Sequence, residues 1–197
     1  MDTYYQHLEI VKDKISVFDE RKVKFLSLCN CQRQFFAYKK AAKGHNWNGE
    51  IFFTKLLNDA WADLIDGTQW LIDPYSILQF VPEDIENEGV ACAVYFCDSI
   101  VSLIHIFKKD DIFKNCELTC EMGLHIVDVL AYNVLNIEVT SSNDEVIAKS
   151  EIFSNEINLQ KKTIKILEES ELSKETIISL KNMFDFNDIT LEYWFDI

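Results

Sequence analysis

Gly89-Val90-Ala91-Cys92-Ala93-Val94-Tyr95-Phe96-Cys97-Asp98-Ser99-Ile100-Val101-Ser102-Leu103-Ile104-His105-Ile106-Phe107 is the longest apolar stretch of this 197-residue chain. Only Asp98, Ser99, Ser102 and His105 interrupt it. Wound as a helix from about residue 90 to 107, it is apolar almost all the way round, which predicts a central helix with neighbours on several sides. Its polar interruptions favour a buried core helix over a membrane span.

Helical signals continue in both directions. Upstream, Asp73-Pro74 reads as a cap followed by Pro at the first helical position, starting a short helix that Pro82 closes. Before it, Phe53, Leu56, Leu57, Ala60, Trp61 and Leu64 form a wide apolar face ending near Gly67. Leu8, Val11, Ile15 and Phe18 step by three or four along a first helix. Asp19 then caps a second, with Phe18 and Val23 as its hydrophobic staple, running to about Lys43. Downstream, helices are expected over about 112–137 and, as one long element, from Asp144 to Glu169. Ser173 caps a last helix, with Leu172 and Ile177 as staple, ending near Phe184. Only five Gly and two Pro, against 48% apolar residues, leave few breaks for turns. The expectation is one all-α domain of about seven to eight helices, with residues 187–197 a loosely attached tail.

Charge is divided along the chain. From Leu56 to Phe107 there is no Lys or Arg, yet there are nine carboxylates. The first 43 residues carry +4 of a total of −14, so residues 44–197 carry −18. Such a field attracts basic partners and repels nucleic acid and anionic lipid. The first residues show no basic segment leading into an apolar run, and the six cysteines fall inside helical patterns. A cytoplasmic protein with reduced core thiols is the expectation.

Three stretches, in this order, resemble the YjaG-like family of small bacterial proteins: Cys29-x-Cys31-x-Arg33 with Tyr38 five residues on, Leu56-Leu57-x-x-x-Trp61-x-x-Leu64, and an apolar helix opening Gly89-Val90 and carrying Cys97. The resemblance spans residues 5 to 185 and implies an all-helical fold. It brings no settled activity and no catalytic residues. The chain departs from the family pattern at Phe36, where Pro tends to precede the Tyr, and in the aromatic, acidic tail after Asn187.

Several polar groupings invite a chemical reading. Cys116 and Cys120 share a helix face with His125 nearby in sequence, but packed thiols explain the cysteines more simply than a metal does. Glu117, Glu121, His125 and Asp128 form a stripe of metal-ligand type without the second copy that di-metal bundles carry; a solvated face is the plainer reading. Asp98, Ser102, His105 and Lys109 read as the edge where the central helix meets water. No phosphate loop, zinc-protease motif or nucleophile elbow occurs, so neither catalytic residues, a metal nor a cofactor is expected.

Partner binding is the remaining expectation. Its candidate residues are Glu83, Asp84, Glu86 and Glu88 in one acidic loop, and Glu192, Tyr193, Trp194 and Asp196 in the tail. Carboxylates steer a basic partner, and Tyr and Trp supply anchor area. The concrete form is an immunity protein that occludes a basic toxin domain such as a nuclease. The alternative is a YjaG-like housekeeping protein acting as a homo-oligomer or small-molecule binder. The segment Arg33–Lys43 is too small a basic patch for nucleic acid, but suits an acidic patch on a second copy.

Overall fold

A computed structural model describes residues 2–45, 47–81, 88–138, 140 and 143–183. Among these residues every regular element is helical. In chain order they are α1 (Asp2–Ile15), α2 (Glu20–His45), α3 (Gly49–Asp66), a 3-10 segment (Pro74–Phe80), α4 (Glu88–Phe107), α5 (Ile112–Leu135), α6 (Asp144–Ala148), α7 (Glu151–Glu169) and α8 (Lys174–Met183).

Local chemistry accounts for most helix ends. The Asp19 carboxylate accepts from the Lys22 N–H at 2.9 Å, and Phe18 and Val23 are both buried as a staple requires. Gly67 takes the left-handed conformation, φ 71°, and its N–H closes α3 onto the Asp63 carbonyl at 2.8 Å. Asp73 accepts from the Tyr75 N–H ahead of Pro74. Ser173 accepts from the Thr176 N–H above buried Leu172 and Ile177.

One boundary differs from the sequence reading. The stretch 144–169 is two helices, because Ser150 is extended (φ −65°, ψ 152°) and its hydroxyl accepts from the Phe153 N–H at 3.3 Å. That bond satisfies a donor that a continuous helix would have bonded to a backbone carbonyl, so α7 starts afresh there.

Helix α4 is long and apolar enough to cross a membrane by composition, but two-thirds of it is buried inside the protein. It packs on α2, α5 and the 3-10 segment. Around it lies the larger core, in which Phe35, Tyr38, Phe53 and Phe96 pack ring on ring at centroid distances of 4.8 to 6.3 Å. The Cys29, Cys31, Tyr38, Leu56, Trp61 and Cys97 positions of the family-like pattern are all core residues. A smaller core joins α1, α5, α6 and α7 through Leu8, Leu124, Val127, Ile147 and Phe153.

Candidate functional site

Of the eight residues named from sequence as partner contacts, Glu83, Asp84, Glu86, Glu192, Tyr193, Trp194 and Asp196 lie outside the described residues, and Glu88 is described only as the first residue of α4. What can be placed is the ground beside the acidic loop. Immediately before it, Leu71, Tyr75 and Leu78 are 70%, 78% and 61% exposed. Tyr75 and Leu78 stand three apart on a 3-10 segment, where side chains at that spacing eclipse, so they form one ridge. Asp73 sits between Leu71 and Tyr75, exposed, and has no cationic partner among the described residues. Three other carboxylates of the same Lys/Arg-free stretch are engaged. Asp59 pairs with Lys55, Asp66 with Lys174 from α8, and Asp63 accepts from the Trp70 N–H at 2.7 Å.

The basic segment of α2 is smaller at the surface than in the sequence. Arg33 is buried, with its guanidinium on the Glu156 carboxylate at 3.0 and 3.3 Å and on Asn30 Oδ1 at 2.6 Å. Burial works against its charge, and the adjacent Glu156 carboxylate more than offsets this. Lys39 lies over the Phe35 and Phe36 rings. The proposed acid-to-base meeting of two copies through this segment therefore lacks Arg33.

The Arg33–Glu156 pair belongs to a buried polar layer. Gln160 donates to the Glu156 carboxylate at 2.8 Å and to the Cys120 carbonyl at 3.0 Å, while its own oxygen meets His7 Nε2 at 2.9 Å. Gln34 donates to the Thr119 carbonyl at 2.7 Å. Helix α5 comes this close because residue 123 is glycine: a Cβ there would stand 3.0 Å from Glu156 Oε1 and 3.1 Å from Gln34 Nε2. Nothing in the sequence reading singled out Glu156 or Gln160. The available signal was their position, four apart on the face of α7 that also carries Ile152, Phe153, Ile157, Ile164 and Leu167, where polar residues are out of place.

The Glu117–Asp128 stripe is not a simple solvated face. Tyr4 of α1 lies across it: its hydroxyl donates to Glu121 Oε1 at 3.1 Å and stands 3.3 Å from His125 Nε2. The His125 ring stacks on Tyr95 of α4, centroids 5.1 Å apart. Asp144 of α6 accepts from the Tyr132 hydroxyl at 3.0 Å. Together Tyr4, Tyr5, Glu121, His125, Asp128, Asp144, Ala148 and Phe153 surround an open cleft of about 280 Å³. Cys116 and Cys120 are buried on another side of α5, against Val23 and Asn30 of α2, so they do not join His125. Among the described residues no three His, Cys, Asp or Glu side chains are grouped to hold a metal ion. On α4, His105 meets Asp110 at 3.0 Å, and Ser102, expected at the edge where the helix meets water, is buried.

No protein-family model matches the chain, and no curated protein does. Its fold does have a solved counterpart. A DUF416 family protein from Shewanella baltica OS155 is similar to it with a TM-score of 0.73 and 17% sequence identity, over 88% of this chain and 92% of that one. The two proteins share a fold.

Proposed function

We propose that this chain is a non-catalytic binding protein that masks a basic partner, in concrete form a cytoplasmic bacterial immunity protein neutralising a toxin domain by occlusion. The observation that carries the reading is the exposed Tyr75–Leu78 ridge, with exposed Leu71 shortly before it in sequence, inside a stretch that holds no Lys or Arg. Burying each of Tyr75 and Leu78 in an interface is worth about 1.5–3 kcal/mol. The run Glu83–Glu88 follows in sequence and adds to the negative charge that would draw in a basic surface. In this reading carboxylates take the place of phosphates at the toxin's Lys and Arg side chains, and Tyr75 is the anchor. The chain is then a distant YjaG-like protein: the fold shared with a DUF416 family member supports this, and the aromatic, acidic tail with Glu192, Tyr193, Trp194 and Asp196 adds a second contact.

The test uses the product of the gene immediately upstream, which this reading requires to be a toxin with a basic domain. Co-expression of this chain should rescue cells from it. With the purified pair, raising salt from about 50 to 500 mM should lower the association rate roughly tenfold or more. Tyr75→Ala should weaken binding about thirtyfold, the mark of an anchor worth about 2 kcal/mol. Rescue lost on removal of residues 188–197 alone would assign the contact to the tail. No rescue, and an association indifferent to salt, would overturn the proposal.

A further inference from the structure

We propose that the cleft between α1, α5 and α6 is a binding site for a small organic cation, an alkylammonium or guanidinium group. It is separate from the ridge on the 3-10 segment and does not depend on the inhibitor reading. Three carboxylates face the cleft from two helices, Glu121 and Asp128 on α5 and Asp144 on α6, and no Lys or Arg lines it. Glu121 is engaged by the Tyr4 hydroxyl and Asp144 by Tyr132, whereas Asp128 has no hydrogen-bond or ion-pair partner among the described residues. Lys149, the cation next in sequence to the lining residue Ala148, is turned to Glu145 at 3.3 Å.

The walls are aromatic. Tyr4 and Tyr5 meet edge to face at 5.1 Å, and Phe153 lies 6.4 Å from Tyr4. Aromatic rings and carboxylates around one space form a setting in which charge and ring quadrupoles can together hold an organic cation. A bare metal ion would require converging ligands, which the described residues do not provide. Partial burial, and then the like charge on Asp144, push the Asp128 carboxyl upward against the opposing pull of His125. An ammonium placed beside Asp128 would offset the like charge on Asp144. About 280 Å³ suits one short chain, not a drug-sized molecule.

The test titrates the intact chain, at low ionic strength, with putrescine and agmatine, using 1,4-butanediol as the neutral counterpart and magnesium as the inorganic one. Chemical shifts of the cleft residues are the readout. The expected result is saturable binding of both amines, at least tenfold tighter than either control, and a tenfold or greater loss in Asp128→Asn. Ala148→Phe, which fills the cleft while leaving every carboxylate in the chain, should abolish it, so a failure of Asp128→Asn to fold leaves the question decidable. Nα-acetyl-lysine amide separates the sources: its binding assigns the site to a protein side chain, its exclusion to a free diamine. Equal responses to butanediol or magnesium, or amine binding unchanged in both variants, would overturn the proposal.

Discussion

Arg33 and Glu156 stand 123 residues apart and meet with side chains only 4% and 1% exposed. Removing one member leaves the other charged and shielded from solvent. Arg33→Met is therefore expected to cost about 3–5 kcal/mol in urea unfolding, and Arg33→Met with Glu156→Leu to recover most of it. His7 supplies the pH dependence of the same layer. Burial, with Lys161 adding, lowers its affinity for a proton, while the Gln160 contact and Glu156 pull the other way without prevailing. The unfolded chain thus binds the proton more readily, below the ordinary value of 6.5. Stability from a neutral His7 is present above that pH and is lost as pH falls through it toward the lower folded value. Between pH 7.5 and 5.5 the wild-type melting temperature should drop further than that of His7→Gln. Asp98 and Asp128, whose carboxyls are pushed up, act in the opposite sense in both proteins and cancel in the comparison. A drop of equal size in the two proteins would show that His7 is not the group.

Helix ends are where element-scale chemistry is most exposed to test. Lys149 and Ser150 separate α6 from α7, and the Ser150 hydroxyl caps α7 by accepting from the Phe153 N–H, so Ser150→Ala should cost about 1 kcal/mol. Equilibrium unfolding would show it, and an unchanged midpoint would mean the break is held by packing of Ile147 and Ile152 instead. The caps at Asp19, Asp73 and Ser173 and the left-handed end at Gly67 were legible in sequence because a cap is settled within four residues. Ser150 escaped because the apolar period of α7 runs on smoothly enough to hide a one-residue change of direction. Phase along a helix was equally legible: Val11, Ile15, Leu56, Leu57, Trp61 and Ile100 are all nearly inaccessible.

Across the whole molecule, the six cysteines report on how tightly the core is closed. All are buried free thiols, and burial pushes Cys29 and Cys97 up to about 12 and Cys31 higher still. The native protein at pH 8 is expected to leave all six unreactive toward a disulfide reagent over minutes, while guanidinium exposes six. A thiol that reacts at once without denaturant would locate a part of the core that opens.

The all-helical class, the central place of the 89–107 stretch and most helix boundaries were determined by the sequence itself, since periodicity and capping act over a few residues. The polar pairings were decided only by tertiary structure. Tyr4 with Glu121, His7 with Gln160 and Arg33 with Glu156 are separated by 117, 153 and 123 residues. An amphipathic pattern says which face of a helix turns inward, but not which neighbour it meets or at what rotation. A polar residue on an inward face reads as a flaw until its partner, held on another helix, comes within hydrogen-bond distance.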